Sequence, residues 1–174
     1  MDKKIAFLID GGYFIRRIEF FNRKYFKGSK LSPEQIVSLM LHIVERHKSD
    51  LRRDELYRIY FYDAPPYEGQ IREPVPHPNQ PGRRTRNFKA DERTLRQKEF
   101  HNQLGKTRKV AMRMGELAST KQWLLNEHAQ QDLLNKSRRI EELLPEDFHL
   151  NLQQKGVDTR IGIDITTLSL NRLA

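Results

Sequence analysis

Five apolar residues, Ile5 to Ile9, run without interruption and stop at Asp10, and Gly11 and Gly12 follow at once. A continuous apolar run this short beside glycine predicts a strand buried on both faces, the kind found in parallel sheets. The period then changes. Tyr13, Phe14, Ile18, Phe21 and Tyr25 recur at helical spacing among Arg16, Arg17, Arg23 and Lys24, which predicts an amphipathic helix with a basic outer face, broken at Gly28-Ser29. Ser32 opens a second helix, because Pro33 stands at the first helical position and Gln35 three residues on completes a capping box. Ile36, Leu39, Met40, Ile43, Val44 and His47 form its inward stripe. Leu56 to Tyr62 is rich in Tyr, Ile and Phe and predicts a second strand, ended by Asp63-Ala64-Pro65-Pro66. Strand, helix, helix, strand is the order of an α/β fold with a parallel sheet.

The pattern is looser beyond Pro66. Residues 73–87 predict a loop, with four prolines followed by Gly82-Arg83-Arg84-Thr85-Arg86. A polar helix is expected from about Phe88 to Leu104, then a strand over Val110–Gly115. Lys121 to Leu144 is helical in composition, so a helical insertion near 120–145 is expected, with Trp123 as a core or docking residue. Phe148, Leu150 and Leu152 alternate as in a short edge strand. Gly156 precedes a last helix with Ile161, Ile165, Leu168 and Arg172 on one stripe. No internal repeat is visible, and residues 1–174 read as a single domain.

Composition changes this picture mainly through charge. The 174 residues carry a formal net charge of +9, and mean hydropathy is −0.79. That balance suggests a polyanion partner, most commonly nucleic acid. Lys89, Arg93, Arg96 and Lys98 with Lys106, Arg108, Lys109 and Arg113 make the densest positive patch. Phosphates on such cations, with bases on Phe88, Phe100 and His101, would hold a single strand. The alternative is a solvated helix face in which Asp91, Glu92 and Glu99 pair within the helix. The chain has 0 Cys, which excludes disulfides, thiolate metal sites and cysteine nucleophiles. The first apolar run is too short for a signal peptide and no stretch could span a membrane, so a cytoplasmic location is expected.

The candidate chemistry lies in carboxylates. Asp10 would stand at the carboxyl end of the first strand, where open α/β sheets place their sites, or would only start a turn. Asp63 ends the second strand and either lines the same rim or shapes the turn before the prolines, the second being favoured. Asp158 suits the first turn of its helix. Asp164 lies among Ile161, Ile163 and Ile165, where an unpaired carboxylate is costly. On a regular helix Asp158 and Asp164 point about 120° apart, so both face one site only across the helix start. Clustered carboxylates without Cys or paired His suit a hard cation, Mg²⁺ or Mn²⁺, and such a cation activates water against a phosphodiester. A covalent aspartyl mechanism at Asp10 usually wants a second Asp two residues on, where Gly12 stands.

Three stretches together resemble the NYN domain of the LabA-like group of PIN-like ribonucleases. They are Ile5–Tyr13, Tyr57–Pro66 and Gln154-Lys155-Gly156-Val157-Asp158-Thr159-Arg160-Ile161-Gly162-Ile163-Asp164. Met114-Gly115-Glu116-Leu117 resembles the segment that group carries before its insertion. The resemblance implies a Rossmann-like parallel sheet and a metal-dependent endoribonuclease acting on single-stranded RNA. It implies Asp10, Asp158 and Asp164 as the catalytic acids that hold Mg²⁺ or Mn²⁺, and Lys155 as a phosphate contact. Arg83, Arg84, Arg86, Lys89 and Arg93 are the further candidate nucleic-acid contacts. The group continues past this last helix into a strand with a Gly-Asp-Ser-Asp-Phe-type motif that supplies more metal-binding acids. These 174 residues do not contain it, so the fold is expected to be incomplete at its C-terminal side. Two consequences are expected: a catalytically weak or inactive RNA-binding or assembly module as the alternative function, and a second copy or partner chain over the last helix.

Overall fold

A computed structural model describes residues 4–51, 55–78, 80–171 and 173. The elements in chain order are β1 (Lys4–Asp10), α1 (Gly11–Tyr25), α2 (Pro33–Asp50), β2 (Glu55–Asp63), β3 (Gln70–Arg72), β4 (Thr85–Asn87), α3 (Glu92–Lys106), β5 (Val110–Met114), β6 (Glu116–Leu125), α4 (Glu127–Leu134), β7 (Phe148–Lys155) and α5 (Val157–Leu170). The chain divides into two compact units. One comprises the described residues of Met1–Pro66, Leu95–Glu116 and Gln154–Ala174, and the other Tyr67–Thr94 and Leu117–Gln153.

The first unit is α/β, with a three-stranded parallel sheet in the order β1-β2-β5 flanked by helices. The register pairs Asp10 with Tyr62 and Asp63 with Met114, so the three strands end together at one edge. β2 is the central strand and is buried on both faces from Ile59 to Asp63. Its alternation divides the core. Ile59 and Phe61 pack with Ile18 of α1, Met40 and Val44 of α2, and Phe100 and Leu104 of α3. Tyr60 and Tyr62 pack with Val157 and Leu168 of α5 on the opposite face. Phe61 is fully buried, with the rings of Phe14 and Phe100 edge-on to it at 6.2 and 5.5 Å. β1 flanks β2 and is only half-buried along Ile5–Asp10, less than its unbroken apolar run predicts. The capping box of α2 forms as expected: Gln35 N–H donates to Ser32 Oγ at 3.2 Å and Ser32 N–H to Gln35 Oε1 at 2.8 Å.

Three helices depart from their predicted stripes. In α2, Ile36, Met40 and Val44 are buried, but Ile43 and His47 are exposed and Val37 is buried in their place. In α1, Gly11 and Ile18 are buried and Phe14 packs against the core, but Tyr13, Phe21 and Tyr25 are exposed. The inward face ends after Ile18, and the later aromatics lie among cations. In α5, Val157 and Leu168 are buried while Ile163, Ile165 and Leu170 are exposed. Arg172, assigned to the same stripe, lies outside the described residues.

The second unit holds two small sheets. β3 and β4 pair antiparallel across the Pro/Arg-rich segment, with Ile71 opposite Arg86, so part of the expected 73–87 loop is a strand. β6 pairs with β7. The helical insertion expected near 120–145 is realised only over Glu127–Leu134. Trp123 lies instead in β6, donates from Nε1 to the carbonyl of Arg72 at 2.9 Å, and packs against Phe88. Composition misleads here because pairing of β6 with β7, a non-local contact, overrides helical propensity. The 138–147 segment closes on a two-pronged ion pair, Arg138 Nη1 and Nη2 to the Asp147 oxygens at 2.9 and 2.6 Å. That guanidinium holds the Asp147 carboxyl below its usual range. Among the described residues no helix is long and apolar enough to cross a membrane.

Candidate functional site

The rim of the parallel sheet is built by close backbone approaches. Asp10 closes β1 and caps α1, its Oδ1 accepting from Tyr13 N–H at 2.9 Å. Glycine is required next to it, because a Cβ on Gly11 would stand 2.5 Å from a Phe61 ring carbon and 2.7 Å from the Tyr62 carbonyl oxygen. α1 therefore starts pressed onto β2. At the end of β5, Gly115 N–H donates to the Asp63 carbonyl at 2.7 Å. A Cβ on Gly115 would meet the Lys155 carbonyl oxygen at 2.6 Å, so the chain leaves β7 directly over this glycine. Gly156 then takes a left-handed φ of 78° and α5 begins. Asp10, Asp63, Gly115 and Lys155-Gly156 are thereby gathered at one edge of the first unit.

Asp63 is the most buried of these carboxylates, at 4% exposure. Its Oδ1 accepts from Ala64 N–H at 2.8 Å and from Gln154 Nε2 at 2.9 Å, and its Oδ2 lies 2.8 Å from His101 Nε2. Asp63 thus both shapes the turn and lies at the rim, the two roles set against each other above. Gln154 and Asp10 both border Gly12: Gln154 Oε1 and Asp10 Oδ1 lie 3.3 and 3.5 Å from where a Gly12 Cβ would be.

The three predicted catalytic acids differ in what they touch. Asp158 is in the first turn of α5, exposed, and makes no hydrogen bond or ion pair among the described residues. Its place favours a negative charge through the helix dipole. Asp10 is half-buried, with Oδ1 used in the cap. Asp164 is bound on both oxygens: Oδ2 accepts from Tyr62 Oη at 2.8 Å and from Arg113 Nε at 3.0 Å, and Arg113 Nη2 lies 3.4 Å from Oδ1. Burial, then donation to this carboxylate, pushes the Tyr62 hydroxyl far above its ordinary value. The charge that looked unaccountable among isoleucines is the acid of a partly buried ion pair. Among the described residues no three His, Asp or Glu side chains come together as a metal-binding group.

The basic candidates fall in both units. Lys155 stands at the rim of the first, exposed. Arg83, Arg84, Arg86, Lys89 and Arg93 belong to the second. There Arg86 is tied to Asp91 and stands over the Phe88 ring at 4.9 Å, and that hydrogen bond lowers the Asp91 carboxyl below its ordinary value. Arg83, Arg84, Lys89 and Arg93 are exposed. Two proposed stacking residues are engaged elsewhere. Phe100 is in the core, and His101 is held by Asp63. Comparison of the chain with protein families, with curated proteins and with solved structures returns no match.

Gln154, His101, Tyr62 and Arg113 were not legible as rim or ion-pair residues. Tyr62 and Arg113 lie 102 and 51 positions from Asp164, and no local pattern marks a pair at that separation. The one available signal was strand parity, which places Asp63 on the Phe61 face, toward α3.

Proposed function

We propose that this chain is a PIN-like domain of the NYN, LabA-like kind that acts on single-stranded RNA as a metal-dependent endoribonuclease. The observation that carries the proposal is Asp10, whose second oxygen has no partner among the described residues, at the carboxyl edge of a parallel sheet where Gly156 also opens α5 with Asp158. The motif resemblance and the net charge of +9 support the same substrate class.

The donor set fits a hard cation in part. Asp10 and Asp158 keep oxygens available, and one or two carboxylates with waters and substrate phosphates suit Mg²⁺ or Mn²⁺. Asp164 does not fit as a ligand while Arg113 and Tyr62 hold it. We assign it to positioning α5, and through α5 Asp158. When bound, the cation would lower the pKa of a coordinated water and stabilise charge on the phosphodiester. The chain's own residues do the rest. Gly11 and Gly115 let the backbone close up around the rim. The partly buried Asp63–His101–Gln154 network holds the ends of β2 and β7. Lys155 supplies a cation for a phosphate.

One observation favours a second reading, an RNA-binding module without cleavage: the described acids form no group of three. Incubating labelled single-stranded RNA with Mn²⁺ and either wild type or Asp10→Asn separates the two. Cleavage by wild type and loss in the variant is expected. Equal cleavage by both removes Asp10 from the site, and binding without cleavage by wild type selects the second reading.

A further inference from the structure

The outward face of α1 has an arrangement that the fold does not need. Tyr13, Arg17, Phe20 and Lys24 recur at i, i+4, i+7 and i+11 and so share one line along the helix. The line alternates ring, cation, ring, cation. Tyr13 is 58% exposed and Phe20 40%. Phe21 and Tyr25 flank it, stacked on each other with centroids 6.0 Å apart, and are exposed as well. The cations stay over the rings: the Arg17 guanidinium is 4.8 Å from the Phe21 centroid and 5.1 Å from that of Phe20, and the Lys24 ammonium 5.1 Å from that of Tyr25. Glu19 is the one acid of α1, against Arg16, Arg17, Arg23 and Lys24.

We infer that this face is a stacking platform for single-stranded RNA, leading into the sheet edge at Asp10; the inference rests on the RNA reading above. Bases have apolar faces that stack on aromatic rings, and the phosphates between them need cations at short, regular intervals. Alternation along one line supplies both. The helix of 15 residues is about 22 Å long, enough for several nucleotides. Its first turn is fixed to the candidate site, because Tyr13 N–H donates to Asp10 Oδ1.

Other occupants fit the same face less well. A membrane-surface helix separates its apolar face from its cations, whereas here rings and cations share a line. A second copy of α1 would bring cations against cations, which opposes pairing. A polyanion with flat apolar groups matches both features.

The test is fluorescence anisotropy with a short labelled oligouridylate in EDTA, where cleavage is silent. Wild type is compared with the doubles F20A/F21A and R17A/K24A, and thermal melts establish that each variant is folded. These side chains are exposed, so the melts are expected to match wild type. F20A/F21A should bind about tenfold more weakly. R17A/K24A should bind more weakly and reduce the slope of log affinity against log salt by about 1.4, two phosphate contacts on a single strand. If folded variants bind as wild type does, the platform is wrong and the RNA reading stands. If wild type itself does not bind, the RNA reading falls and the platform with it. If the variants keep their oligonucleotide affinity but lose binding to anionic phospholipid vesicles or to an acidic peptide, the face serves that partner instead and the inference is overturned.

Discussion

Two pairs of carboxylates in the first unit behave oppositely. Asp63 and Asp164 are enclosed by donors: His101, Gln154 and a backbone N–H around the first, Arg113 and Tyr62 around the second. Asp10 and Asp158 are not. One oxygen of Asp10 serves a helix cap, and Asp158 is exposed without a described partner. A carboxylate fully supplied with donors stabilises the fold and has little left for a ligand. One left open at the carboxyl edge of a parallel sheet contributes less to stability and can take a cation. The sequence motif contains Asp158 and Asp164 together, and only their environments separate them.

Replacing an enclosed acid should disturb folding most. Asp63→Ala leaves His101 and Gln154 without their acceptor, and a loss of about 3 kcal/mol in urea unfolding is expected. Asp164→Ala should lose about 1.5 kcal/mol, since Arg113 is half-exposed and can rehydrate. A double-mutant cycle with Arg113→Ala should give a coupling near 1 kcal/mol, and additive losses would mean the pair is not formed in solution.

The open acids should show the reverse. Asp10→Asn keeps a good N-cap and should change stability by less than about 0.5 kcal/mol. Asp158→Asn should be as mild, while on the proposed function either change should lower Mn²⁺-dependent RNA cleavage at least tenfold. A large destabilisation from Asp10→Asn, measured in the same urea series, would place it with the enclosed acids.

The smallest effect concerns pH in the second unit. Asp147 has a lowered carboxyl pKa, first through its hydrogen bonds from Arg138. A depressed folded pKa contributes stability that is present above the unfolded value and lost as pH falls through the folded one. Wild type should therefore lose more stability than Asp147→Asn between pH 5 and pH 3, about the range of carboxyl titration. Parallel losses would show that the pair contributes nothing in solution.

Much of the fold that carries these residues was legible. β1, α2 and β2 declare themselves through an unbroken apolar run, a capping box and a Tyr/Ile/Phe strand before two prolines, all local signals. Helical period alone turns the outward rings of α1 inward, because Phe14, Ile18, Phe21 and Tyr25 keep that period past the point where burial stops. α3 hid its core contribution, since Phe100 and Leu104 are two of only three large apolar residues in a highly charged helix and the third, Leu95, is exposed. Trp123 is tied to the Arg72 carbonyl 51 residues away, and the strand around it pairs with β7, so neither contact shows in local sequence. The site was legible in its acids and not in its partners: the donors around Asp63 and Asp164 come from other elements, and only folding brings them together.

Mn²⁺ titration followed by electron paramagnetic resonance, on wild type, Asp10→Asn, Asp158→Asn and Asp164→Asn, tests the division of the acids most directly. One saturable site is expected in wild type, weakened at least tenfold by either Asp10→Asn or Asp158→Asn and much less, through the position of α5, by Asp164→Asn under conditions where that variant is folded. Binding that survives Asp10→Asn and Asp158→Asn but is lost in Asp164→Asn would contradict it.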